Sequence, residues 1–119
     1  MKIIDLNKEL PPKGVVATMG FFDGVHLGHR HLINQVVQEA NRLGQESAVI
    51  TFPIHPRKVL DKNYQPPLLC GFDEKIEQLG TTQIDNTIVL DFTREISQLT
   101  AKEFIQQVLK DKLQISTLF

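Results

Sequence analysis

Short β-branched runs along this chain alternate with stretches whose apolar residues recur at helical spacing. Val15-Val16-Ala17-Thr18-Met19 reads as a strand, and the text from about Gly28 to Leu43 reads as a helix. In that helix Leu32, Ile33, Val36, Val37, Ala40 and Leu43 share one face. Gly44 then stands where a left-handed helix cap is common. Ala48 to Phe52 is short and continuously apolar, as buried parallel strands are. Pro53 to Pro67 is loop-like, with prolines at 53, 56, 66 and 67. A short helix is expected over Asp73 to Leu79, closing at Gly80, and a third strand over Thr87 to Phe92. Thr100-Ala101-Lys102-Glu103 has the form of a capping box. It launches a helix whose inward stripe is Phe104, Ile105, Val108 and Leu109, and a last strand begins near Ile115. Strands that alternate with crossover helices predict an α/β fold with a parallel sheet flanked by helices.

The chemistry gathers where the first strand ends. Gly20-Phe21-Phe22-Asp23-Gly24-Val25-His26-Leu27-Gly28-His29 joins that strand to the first long helix. First-turn amides of a helix have no intrahelical partner and carry the positive end of the macrodipole, so such a turn suits an anion. Glycines let a backbone approach a ligand closely, and imidazoles donate hydrogen bonds to phosphate oxygens. His26 and His29 could instead cap a turn and decorate a helix surface, but the glycines at 20, 24 and 28 favour a phosphate-binding pair. His26, His29, His31 and His55 do not form an H-E-x-x-H or finger-like metal pattern, so no protein metal site is expected. Asp23 is open to two readings, a turn residue bonding its own backbone or a ligand contact. Phe22 either fills the core or packs under a nucleotide.

These residues also carry a resemblance. His26-Leu27-Gly28-His29 resembles the H-x-G-H signature of the nucleotidylyltransferase superfamily, and the longer Gly20–His29 string is similar to the opening of the bacterial bifunctional riboflavin kinase/FMN adenylyltransferases. Thr51-Phe52-Pro53-Ile54-His55-Pro56 resembles that family's T-F-x-x-H-P segment. Glu74-Lys75-Ile76 and Phe92-Thr93-Arg94, leading into Leu99 to Ile105, follow as weaker echoes in the expected order. The resemblance implies a Rossmann-like nucleotidylyltransferase fold of the HUP type that transfers the adenylyl group of ATP to FMN, giving FAD and pyrophosphate. It implies ATP, with Mg²⁺, over Gly20, Phe21, Phe22, Asp23, Gly24, His26, Gly28 and His29, with His26 and His29 catalytic. Thr51, Phe52, His55, Pro56 and Arg57 would form the flavin side, where Arg57 or Lys58 could meet a phosphate. Phe21 departs from the family's commoner Asn. The family continues with further motifs and a kinase domain not found in these 119 residues, so residues 1–119 are expected to be an adenylyltransferase domain cut short on its C-terminal side.

Composition narrows the rest. Apolar content of 41% and charged content of 23% are those of an ordinary folded chain. A net charge of −1 offers no general attraction to nucleic acid or anionic membranes. No segment approaches the ~20 apolar residues of a membrane span, and the first residues lack the apolar core of a signal peptide. Cys70, the single cysteine, allows no internal disulfide and fits a reducing cytoplasm.

Overall fold

The computed structural model describes residues 1–6, 8–20, 22, 27–53, 63, 72–91 and 93–119. These form a five-stranded sheet in the order β1-β4-β3-β2-β5, with every neighbouring pair parallel. The strands are β1 (Lys2–Asp5), β2 (Val16–Met19), β3 (Ser47–Thr51), β4 (Asn86–Val89) and β5 (Thr117–Leu118). Helix α1 (Leu27–Leu43) joins β2 to β3, and α2 (Phe72–Gly80) precedes β4. After β4 come a single turn, α3 (Arg94–Ser97), and α4 (Ala101–Phe104), which runs on as a π-helical segment over Ile105–Lys112. The architecture is the expected α/β, Rossmann-like one.

Period-two alternation in the strands divides the core between two layers. Val16 and Val49 face α1 and α2, packing with Ile33, Val36, Val37, Ala40, Leu79 and Ile84. Ala17, Ala48, Ile50 and Ile88 face the other way, onto Val108, Leu109 and Leu113 of the π-helical side. The buried stripe of α1 ends at Ala40; Leu43, expected on it, is the last helical residue and remains 41% exposed. Gly44 takes the left-handed cap, with φ of 67°.

Three differences from the sequence reading have physical causes. β1 was not expected, because an edge strand with one covered face needs only a single buried residue, Ile4, and shows no alternation. The strand expected over Thr87 to Phe92 is shorter: regular pairing covers Asn86–Val89, and Leu90 donates a last hydrogen bond to the Thr51 carbonyl at 2.9 Å. Phe92 lies outside the described residues. The Thr100 capping box is present in both directions, but the helix it starts does not keep an α-helical period. With i→i+5 winding, the inward positions are five apart, Phe104 with Leu109 and Val108 with Leu113. Ile105 therefore turns outward and is 52% exposed, against the stripe read from a 3.6-residue period.

The topology has one reversal. From β2 the chain moves through β3 to β4 on one side, and β5 returns to the opposite side of β2. The carboxyl ends of β2 and β5 thus flank a topological switch point, the usual place for a ligand in an open parallel sheet.

Candidate active site

Gly20 follows β2 at this switch point, its amide still held by the Ile50 carbonyl at 3.0 Å. Phe22 has φ of 58°, in the left-handed region that costs an L-residue about 1–2 kcal/mol. The ring is only 4% exposed, and its burial contributes about 1.5–3 kcal/mol, enough to hold the strained backbone. Gly20 makes room for this ring. A Cβ there would come within 3.0 Å of Phe22 Cε2, tighter than any ordinary contact. Of the two readings open for Phe22, its burial favours the core.

Phe22 also meets His29 edge-on, with ring centroids 5.0 Å apart and planes at 66°. An edge-to-face pair fixes the plane of the imidazole as well as its position. His29 stands in the first turn of α1 together with Gly28 and Arg30, and that turn carries no acidic side chain. The positive dipole end of the helix therefore has no acidic partner within its own first turn. Among the described residues a Cβ on Gly28 would meet nothing within 4 Å. Arg30 turns toward α2 and donates to Thr81 Oγ1 at 3.1 Å. The arrangement suits an anion placed against helix amides with an oriented imidazole beside it.

On the opposite face of the sheet, the carboxyl ends of β2 and β3 open into an apolar slot of about 220 Å³. Met19, Phe52, Ile96, Leu99 and Phe104 supply its walls, and Ser97 and Thr100 lie at the same place. The sequence reading put Phe104 in the core by helical spacing and gave Met19 and Leu99 no site role. The signal lay in position: Met19 is the last residue of β2, and Phe104 is half-buried where a core residue of that helix would be covered. Phe52 is 7% exposed and lines the slot, whereas Thr51 has no exposed surface and belongs to the strand interior.

The structure thus brings Gly20, Phe22, Gly28 and His29 together on the α1 side and places Thr51 and Phe52 at the neighbouring strand end. Phe21, Asp23, Gly24, His26, His55, Pro56 and Arg57, with Lys58, lie outside the described residues. Among the described residues no three His, Cys, Asp or Glu side chains stand together as a metal cluster, and no helix is long and apolar enough to cross a membrane.

Comparison with known proteins shows the family of the chain. A family model described as FAD synthetase matches residues 8–119. Curated relatives named bifunctional riboflavin kinase/FMN adenylyltransferase include that of Listeria monocytogenes, 37% identical over 106 residues, which are 88% of this chain and 32% of the relative. That of Buchnera aphidicola is 33% identical over 108 residues, 91% of this chain and 34% of the relative. The Escherichia coli K12 protein is 31% identical over 110 residues, 92% of this chain and 35% of the relative. The chain therefore spans about a third of the length of these relatives. Among solved structures, one described as a macrolide-efflux protein from Streptococcus pneumoniae superposes with a TM-score of 0.81 at 25% identity, covering 99% of this chain and 40% of that one.

Proposed function

The chain belongs to the FAD synthetase family, and we propose that it transfers the adenylyl group of ATP to FMN. The ATP phosphates lie against the first turn of α1, with Gly20, Phe21, Phe22, Asp23, Gly24, His26, Gly28 and His29 forming or supporting that cradle. The flavin ring enters the slot beside Phe52, on the other face of the sheet, with His55, Pro56 and Arg57 completing its side and Thr51 supporting it from the strand interior. The two substrates meet over the end of β2. An oxygen of the FMN phosphate attacks the α-phosphorus, the bond from that phosphorus to the bridging oxygen of the β-phosphate breaks, and FAD and pyrophosphate result.

The nucleophile is already an anion, so no serine, cysteine or general base is required. What the reaction needs is alignment, and donors aimed at charge that spreads over the nonbridging oxygens. His29 and His26 are the donors in this reading. Mg²⁺ enters as the companion of ATP, bound by phosphate oxygens and water. Both substrates are soluble nucleotides, and the single cysteine fits a cytoplasmic setting. Riboflavin phosphorylation, the other activity in the relatives' names, forms no part of this reading.

One observation carries the proposal: a helix start whose first turn has no acidic side chain holds an oriented histidine at the switch point of a parallel sheet, with an apolar slot at the neighbouring strand end. The test is chromatographic detection of FAD after incubation of the chain with FMN, ATP and Mg²⁺. The expected result is product, with His29→Ala slowing turnover about 10²–10³-fold, the usual loss for one transition-state donor. Nucleotide binding without product would move the chain to a binding module. A folded His29→Ala variant that loses less than about threefold would remove the histidine from catalysis.

A further inference from the structure

Lys75 is the one lysine among the described residues that the fold buries, with 2% of its surface exposed. It lies in α2, where its neighbours Asp73, Glu74 and Glu77 stay outside. Lysine is almost never fully buried without a specific partner, because desolvating an ammonium is costly and a methionine would fill the space more cheaply. Its retention in the interior therefore needs a reason, and the backbone at the end of β3 supplies one.

Three successive carbonyls leave β3 at its carboxyl end. The Ile50 carbonyl accepts from the Gly20 amide at 3.0 Å, on the β2 side. The Thr51 carbonyl accepts from the Leu90 amide at 2.9 Å, on the β4 side. The Phe52 carbonyl, one residue past the end of β3, accepts from Lys75 Nζ at 2.8 Å, with the ammonium 5.4 Å from the centre of the Phe72 ring. A side chain from a helix thus continues the hydrogen bonding of the sheet by one residue. That residue is the one whose ring lines the apolar slot.

We infer that Lys75 is a positioning residue for the flavin substrate: by holding the Phe52 carbonyl it fixes the slot wall and the departure of the chain into Pro53 and the segment beyond. The inference rests on the proposed placement of FMN at this slot and deepens it. An ammonium suits the task better than a neutral donor, since hydrogen bonds from a charged group are shorter and about twice as strong. Its effect is confined to one substrate. The α1 turn that takes ATP is braced by Phe22 and Gly20 on the other face of the sheet and makes no use of this bond.

The experiment measures FMN and ATP binding separately, FMN by quenching of its fluorescence and ATP by calorimetry, in the unsubstituted chain and in Lys75→Met. Methionine keeps the length and removes the donor; taking one partner from a buried hydrogen bond costs about 1–3 kcal/mol, so cooperative unfolding of the variant is checked before binding is read. The expected result is an FMN dissociation constant raised about tenfold, the value of one charge-assisted hydrogen bond, with ATP affinity unchanged within about twofold. Should Lys75→Met fail to unfold cooperatively, Lys75→Gln, which fills the site with a shorter neutral donor, is expected to show the same selective loss. FMN binding that survives either folded variant intact, or FMN and ATP binding that fall together, would overturn the assignment of Lys75 alone. Absence of FMN binding by the unsubstituted chain would overturn the functional reading itself, and the role of Lys75 with it.

Discussion

The contact between Phe22 and His29 makes the sharpest prediction. Phe22→Leu keeps an apolar side chain at the buried, left-handed position but removes the aromatic edge that meets the imidazole at 5.0 Å. Two losses add. The smaller side chain leaves unfilled volume in a cluster with Ile33, Val36 and Val49, at a cost of about 1 kcal/mol. The edge-to-face pair contributes about another 1 kcal/mol beyond area burial. Backbone strain is common to both forms, since leucine is as disfavoured as phenylalanine at φ of 58°, and it cancels. The sum of about 2 kcal/mol corresponds to a fall in Tm of about 8 °C for a chain of this size. Thermal unfolding followed by circular dichroism measures it. A double-mutant cycle with His29→Ala then isolates the ring pair, and its coupling should be about 0.5–1.5 kcal/mol. In turnover, a less firmly held His29 should cost about tenfold, because misplacement of a catalytic donor by a fraction of an ångström is already expensive. A coupling below about 0.3 kcal/mol, the range of independent sites, would refute the claim that Phe22 orients His29.

Two further predictions concern the frame. Gln114 follows the π-helical segment with φ of 55°, a left-handed position that glycine takes without strain. Gln114→Gly should therefore stabilise the fold by about 0.5–1 kcal/mol and raise Tm by a few degrees, and a lower Tm would show that the Gln114 side chain holds more than its backbone costs. On α1, the Arg42 guanidinium hydrogen-bonds the Glu39 carboxylate and holds its pKa below the ordinary value. The folded-state pKa is depressed, so the pair's contribution is present above the unfolded value of 4.5 and disappears as pH falls through the lower folded one. Both groups are exposed, so Arg42→Ala should lower Tm slightly at neutral pH and low salt and not at all in acid. A loss of Tm that persists at pH 3 would mean that Arg42 acts through packing.

How much of this was legible in the sequence depends on whether a feature is local. Gly44 and the Thr100–Glu103 box were readable because each is settled within one helical turn, by a glycine without a Cβ or by two reciprocal side-chain bonds. The strand end at Met19 and the helix start at Leu27 were readable for the same reason, since they follow closely along the chain. The apolar slot was not, since Met19, Phe52 and Phe104 meet only through the tertiary fold. Ile105 looks like a core residue until the switch from α to π winding is known, because it then turns outward and the stripe re-forms at five-residue spacing, Phe104 with Leu109.

Lys75 is the clearest case of a residue whose meaning lies in no local pattern. In sequence it stands between Glu74 and Ile76 on a charged helix, where a lysine is ordinarily a solvated surface group. Only the placement of α2 against the carboxyl end of β3 brings Nζ to 2.8 Å from the Phe52 carbonyl. The two halves of the site are therefore specified differently. In the proposed function the anion cradle would be written into consecutive residues, so substitutions there would act on one turn and one bound group. The proposed flavin side would be assembled from β2, β3, α2 and α4, so FMN affinity should respond to substitutions far apart in sequence, at Met19, Lys75 and Phe104 alike, with ATP affinity unchanged.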